Sequence, residues 1–322
     1  MLAVAVVCGS AAAALGVCEG VLNALALYRP PPREIRPEQP EIYRPDPFVG
    51  YTLWPSRTIS HRYPPEDGEL IPLTSNSDGF RNAREFDGRD QRARILVVGD
   101  SFVFGLGVRA EDRLTEQLEA FEPRWRVDNM GMTGWGLDLM VRAVEHLGAK
   151  ADPDVVVLVM YTDDFRRLHP YYAGVGYPFA KFELVGAQLV STAYEYPKSW
   201  ERLRLVQALY QLNWQRDRDR LQLNGALLDR YAALARTMGF APAIVFAPGT
   251  NYTDGDRLRQ GFLSDWAAAR GIPYRDLTGA IHGAGVEKTF LPNNWHWSPL
   301  GHRIAAAELR SLLQRYVFEG SA

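Results

Sequence analysis

From residue 94 onward the chain predicts an α/β fold, a mostly five-stranded parallel sheet covered by helices on both faces. Three observations carry this. Continuous apolar runs rich in β-branched residues, at 95–98, 154–161 and 243–247, read as strands buried on both sides. Shorter strand-like segments lie at 125–129 and 273–277. Segments with helical spacing alternate with them, at 109–122, 137–147, 199–217, 223–238, 256–270 and 304–316.

The totals bound the rest. A chain of 322 residues holds one large α/β domain with appendages, or two small domains. Its 47% hydrophobic and 23% charged content is that of an ordinary globular protein. A formal charge of −2, with no cluster of Lys and Arg interleaved with aromatics, speaks against nucleic-acid binding. Both cysteines, Cys8 and Cys18, fall in the N-terminal apolar segment. A disulfide framework and a Cys-ligated zinc site are therefore excluded from the folded domain.

In order along the chain, 1–28 is apolar or small apart from Glu19 and Asn23. A bilayer needs roughly 20 such residues, so this is a membrane anchor or an uncleaved signal helix. Ala24-Leu25-Ala26 offers an alternative signal-peptide site, and a buried core helix is the plain structural alternative. Arg29, Arg33 and Arg36 follow the span with no basic residue before it, which by the positive-inside rule would hold the C-terminal domain in the cytoplasm, a signal diluted by Glu34, Glu38 and Glu41. The Pro-rich stretch 30–40 reads as an extended linker, and 46–59 as short strands and turns. Together they form an N-terminal extension at 29–91, ahead of a domain at 92–318. The polar stretch 74–81 reads as a turn anchored in the core by Phe80.

Within the domain, 154–161 is the most apolar strand and hence the most central. An insertion at about 166–198 breaks the rhythm, with a hairpin turning near Gly186 that is expected to form a flap or rim. The run 216–220 of alternating Arg and Asp reads as a solvated, self-paired face. No internal repeat is present.

Open parallel sheets bind ligands at the carboxyl ends of their strands. There this chain offers Ser101, Asn129 with Gly131, and Asp163 with Asp164; His296 stands before the last helix. Serine becomes a nucleophile when a histidine takes its proton. Glycine N–H groups in tight turns can meet a developing oxyanion. Plainer readings stand beside this. Asp100 and Ser101 also suit an ordinary turn and cap. His296 can simply pack between Trp295 and Trp297, and His302 suits a structural hydrogen bond. Trp135, Phe102 and Phe165 suit either core or an acyl pocket. Asp100, Asp163, Asp164 and His296 lack a recognised ligand spacing, so neither metal nor cofactor is expected. A Gly-x-Ser-x-Gly elbow is excluded, since Gly99-Asp100-Ser101-Phe102-Val103 lacks the second glycine.

In their order and placement these blocks resemble the SGNH/GDSL hydrolase family. Gly99-Asp100-Ser101 matches its first block, with Phe102 in place of leucine. Asn129-Met130-Gly131 matches the second, and Tyr161-Thr162-Asp163-Asp164 stands where the family has Gly-x-Asn-Asp. His296-Trp297-Ser298-Pro299-Leu300-Gly301-His302 matches the last. The resemblance spans about 94–316, and 76–81 is similar to a pre-domain motif of membrane-anchored bacterial members. It implies a flavodoxin-like three-layer α/β/α fold and hydrolysis of acyl esters, or in some members acyl transfer.

Carried over by position, Ser101 is the expected nucleophile and His296 the base. The N–H groups of Ser101 and Gly131 form the expected oxyanion hole, and Asp100, Asn129 and Trp295 line the substrate. Two positions depart from the family. Asn293 and Asn294 stand where its acid lies, and an amide cannot stabilise an imidazolium by charge. In the serine-protease triad such a change costs about 10⁴ in kcat. Asp163 replaces the oxyanion-hole asparagine, so it either works protonated or points away towards His296 or Arg166. The expected partners are an acyl-ester substrate (small molecule, glycan or lipid) and the membrane, through the N-terminal helix. The expected location is membrane-anchored, with the catalytic domain periplasmic or extracellular. The alternatives are a catalytically degenerate protein that binds an acylated or glycan ligand, and an O-acyltransferase screened from water by the insertion.

Overall fold

The computed structural model describes residues 2–27, 30, 34–64, 68–87, 90–169, 171–214 and 218–315. Helix α1 (Leu2–Ala24) is followed by two hairpins, β1 (Tyr43–Asp46) with β2 (Gly50–Leu53) and β3 (Thr58–Arg62) with β4 (Leu70–Thr74). The alternating part then runs β5 (Ala93–Gly99), α2 (Ser101–Phe104), α3 (Leu114–Phe121), β6 (Trp125–Gly131), α4 (Leu137–Ala151) and β7 (Val155–Tyr161). A third hairpin, β8 (Lys181–Val185) and β9 (Gln188–Thr192), turns at Gly186, whose φ of 65° favours glycine. Next come α5 (Arg204–Trp214), α6 (Arg218–Met238), β10 (Ala241–Ala247), α7 (Asp254–Ala268) and β11 (Tyr274–Asp276). Helices α8 (Thr278–Gly283), α9 (Val286–Thr289) and α10 (Pro299–Leu313) close the chain.

The five parallel strands are ordered β11-β10-β7-β5-β6. Numbered within the sheet, this is the 2-1-3-4-5 order of a flavodoxin-like fold, whose switch point lies between β5 and β7. Strand β7 is central and buried along its whole length, as its unbroken apolar sequence requires. Alternate residues serve opposite faces. Leu96, Val98, Val156, Leu158, Met160, Ile244 and Phe246 pack with α4, α6 and α7 on one side. Ile95, Val97, Val155, Val157, Val159, Ala243 and Val245 pack with α3 and α10 on the other. Each layer is thus specified by the strand period of two meeting the amphipathic helices around it.

The extension is built into the first of these cores. Tyr43, Val49, Tyr51, Leu53, Leu73, Phe80 and Phe86 are all buried in it. Asn76 Oδ1 accepts the N–H groups of Asp78 (3.1 Å) and Phe80 (2.9 Å), the local turn that drives Phe80 inward. By contrast, α1 has no buried residue between Val6 and Ala24, a stretch with mean hydropathy 1.5 that is long and apolar enough to cross a membrane. Its polar residues meet α5: Glu19 accepts the N–H groups of Arg204 (2.9 Å) and Leu205 (2.8 Å).

Two predicted helices are shorter than the spacing suggested. Residues 109–122 divide into a 3₁₀ turn, Ala110–Asp112, and α3, because Arg113 between them is extended and buried. Residues 199–217 divide at the extended Leu203. The side chains of the 216–220 run lie outside the described residues.

Candidate active site

Gly99 ends β5 where no larger residue fits: a Cβ there would lie 2.4 Å from Val103 Cγ2 and 2.9 Å from the Val159 carbonyl oxygen. Asp100 then caps α2, its Oδ1 accepting the Phe102 N–H at 2.9 Å. Gly105, left-handed at φ 74°, stops the helix after one turn. From the extension, the buried Arg81 donates to the carbonyls of Phe104 (3.1 Å) and Val108 (2.8 Å). Ser101, the first residue of that turn, is 5% exposed and held from both ends.

His296 sits in the loop before α10. A hydrogen bond from the Leu291 N–H to its carbonyl (2.8 Å) and another from Ser298 to Thr289 (2.9 Å) fix its backbone. Its Nε2 lies 2.8 Å from Ser101 Oγ, and its Nδ1 lies 2.8 Å from Asn294 Oδ1. Asn294 Oδ1 also accepts the His296 backbone N–H at 3.0 Å, so the amide oxygen, not its NH₂, must face the ring. Nδ1 therefore carries the proton and Nε2 turns its lone pair to the serine. Tyr63 adds its hydroxyl at 3.3 Å from Nδ1 and its ring edge-on to the imidazole. Burial pulls the imidazole pKa down to about 4; Asp100 pulls it up and Arg167 pushes it down, in that order of size. At neutral pH the ring is an uncharged base.

Behind the serine lies a buried charge cluster. Arg167 donates to Asp100 Oδ2 (2.8 Å), Asp164 Oδ1 (2.6 Å) and the Trp135 carbonyl (2.8 Å). Asp100 Oδ2 is 3.3 Å from Ser101 Oγ. Burial, with the Asp100 charge next, holds the Asp164 carboxyl well above the usual range.

The remaining sequence candidates are placed differently from one another. Asn129 is fully buried, donating to the Val103 carbonyl (2.6 Å) and Thr115 Oγ1 (3.0 Å) and accepting the Gly131 N–H (3.0 Å). Neither Asn129 nor the Gly131 N–H is free to meet a substrate: they lock β6 against α2. A Cβ on Gly131 would lie 2.3 Å from the Phe104 nitrogen, so that glycine serves close packing. The Asp163 side chain is half-exposed, and its carboxyl pairs with Arg166 at 3.2 Å. Asn293 is exposed in a left-handed turn (φ 53°), and Asn294 alone of the pair meets the imidazole. Trp295, 56% exposed, stands beside His296 with ring centroids 5.9 Å apart. His302 Nδ1 accepts the Leu114 N–H at 3.2 Å; burial holds its pKa down to about 3. Phe102, Trp135 and Phe165 are core residues.

Tyr63, Arg81 and Arg167 escaped sequence reasoning. Arg81 belonged to a turn already singled out, and Arg167 follows Asp164 at the i,i+3 spacing of a helical ion pair. Nothing local marks Tyr63. Among the described residues no group of three His, Cys, Asp or Glu side chains is arranged to hold a metal ion. A cavity of about 650 Å³ bounded by Asp229, Arg236, Phe240 and Arg270 opens at the amino end of β10, the opposite edge of the sheet from Ser101.

No protein-family model matches the sequence, and no curated protein does. Solved structures similar in fold include a member of the lipolytic protein G-D-S-L family from Veillonella parvula, 15% identical, covering 69% of this chain and 98% of its own, with TM-score 0.45. The psychrotrophic esterase EstA from Pseudoalteromonas sp. is 11% identical over 70% of this chain and 100% of its own, with TM-score 0.48. A carbohydrate acetylesterase family member from Sinorhizobium meliloti is 14% identical over 70% and 99%, with TM-score 0.43. At this distance the fold assignment rests on the strand order of the chain's own sheet.

Proposed function

We propose that this chain is a serine esterase of the SGNH/GDSL type, acting on acyl esters through Ser101 and His296. The 2.8 Å contact between Ser101 Oγ and the unprotonated Nε2 of His296 carries the reading. Nucleophile and base are in hydrogen-bond reach, and Asn294 holds the required tautomer. In the acylation step the Oγ proton passes to Nε2 as Oγ bonds to the ester carbonyl carbon. The carbonyl π pair moves to oxygen, and the Ser101 N–H, at the start of α2, is the donor best placed to receive it. The imidazolium then protonates the departing alkoxide. Water, deprotonated by the same ring, releases the acid and restores Ser101.

Detergent-solubilised full-length protein is expected to hydrolyse p-nitrophenyl acetate and to be labelled by a fluorophosphonate. Ser101→Ala abolishes both. If neither reaction depends on Ser101, a second reading takes its place: a catalytically silent member of the fold that binds an acylated or glycan ligand. Asn294 in the acid position and Asp163 paired with Arg166 are the observations that favour it.

The same proposal assigns α1 as the membrane anchor and puts the domain on the periplasmic or extracellular side. A cysteine introduced on the domain surface should then react with a membrane-impermeant maleimide in intact cells, and a protected cysteine would reverse the orientation.

A further inference from the structure

An imidazole that accepts the serine proton becomes a cation inside a site where both Ser101 and His296 are only 5% exposed. A carboxylate on the Nδ1 side would stabilise that cation, but here Nδ1 faces the uncharged Asn294 and, at 3.3 Å, the hydroxyl of Tyr63. The fixed negative charge lies on the other side. We infer that Asp100, clamped by Arg167, is a positioning residue whose charge stabilises the His296 imidazolium, taking the part that Asn294 cannot. The inference rests on the esterase reading above.

Asp100 is fully buried and has no freedom to turn away. Its Oδ1 is fixed by the Phe102 N–H, and its Oδ2 meets Arg167 at 2.8 Å and Ser101 Oγ at 3.3 Å, one atom removed from Nε2. Arg167 reaches both Asp164 Oδ1 at 2.6 Å and Asp100 Oδ2 at 2.8 Å, so a guanidinium is seated directly against the Asp100 carboxylate. The charged and titratable groups around the imidazole come from every side of the site. Asp100 lies at the start of α2, Arg167 and Asp164 after β7, Tyr63 in the extension, and His302 on α10. Asp100 pulls the imidazole towards its charged form more strongly than Arg167 opposes it. Proton transfer from Ser101 thus creates a cation beside an anion already in place, without reorganisation.

Asparagine caps helices about as well as aspartate, so Asp100→Asn removes the charge and keeps the cap; Asp100→Ser does the same should the amide disturb Arg167. Full-length wild type, Asp100→Asn, Asn294→Asp and the double variant are compared in detergent by kcat/KM against pH on p-nitrophenyl acetate and by NMR titration of the His296 ring, assigned with His296→Gln. Asp100→Asn is expected to lower kcat/KM about ten- to a hundred-fold. Adding Asn294→Asp should rescue it by a larger factor than the same change gives the wild type. In the Asn294→Asp background, where the ring titrates at accessible pH, Asp100→Asn should move the His296 titration downward. An identical His296 titration with and without Asp100 overturns the inference, as does a loss that Asn294→Asp does not rescue; either makes Asp100 a cap alone. The titration needs no turnover, so missing Ser101-dependent hydrolysis would refute the esterase reading while the NMR result still decides the role of Asp100.

Discussion

Replacing Asn294 with Asp places a full negative charge 2.8 Å from Nδ1 in a site where the imidazole is 5% exposed. The geometry needs no change, since either side chain can accept the His296 backbone N–H. Two unit charges at contact near a protein surface interact by about 4 kcal/mol. Much of that is offset by desolvating the new carboxylate, leaving a rise of roughly one to three units in the imidazole pKa. The ring now titrates near 4, so the acidic limb of kcat/KM lies below pH 5 in the wild type and moves into the range 5–7 in the variant. Because the imidazolium formed during acylation gains the same stabilisation, kcat/KM at pH 8 should rise about ten- to a thousand-fold. A pH-rate profile on p-nitrophenyl acetate with both proteins measures limb and plateau together. A variant with the wild-type limb and plateau would mean that the Asn294 contact does not govern the base, and the mechanism would fail at its centre.

Other expectations follow from the same geometry. Arg167→Met leaves Asp100 and Asp164 buried without their cation and should destabilise the fold by about 3–5 kcal/mol in urea unfolding. Gly131→Ala drives a methyl to 2.3 Å from the Phe104 nitrogen, so it should displace α2, cost about 1–3 kcal/mol and reduce Ser101 labelling by fluorophosphonate. Burial depresses the pKa of both His296 and His302 below the unfolded value of about 6.5. The unfolded chain therefore binds more protons than the folded one as pH falls from 6.5 to about 4. Stability is full above that window and declines within it by about 1.4 kcal/mol per pH unit for each ring. His302→Gln should roughly halve this slope in urea midpoints measured from pH 7 to 4, and an unchanged slope would show that the buried rings do not titrate on unfolding.

Much of the architecture was legible because strand and helix periods are local. The unbroken apolar run of β7 announced a central strand, and the hairpin at Gly186 announced itself by turn chemistry. Errors fell where tertiary contacts override local preference. Arg113 reads as a helix residue, yet it is extended because its guanidinium bonds the Arg81 carbonyl and Glu116. The segment 46–59 reads as short strands and turns, and only the tertiary structure shows Val49, Tyr51 and Leu53 buried in the core shared with the parallel sheet.

At the site, the chain order of Ser101, Asn129, Asp163 and His296 was enough to name candidates, since each stands where a parallel sheet gathers ligands. The sequence by itself determined that gathering, and it exposed the missing acid at Asn294. What only the tertiary structure decided is which groups remain available. Asn129 and the Gly131 N–H satisfy each other, Asp163 pairs with Arg166, and Tyr63 arrives from 233 residues away in the chain. The reason is physical: a residue's type limits the bonds it can make, but a buried polar group takes the partner that packing brings within reach, and that partner is set by the whole fold.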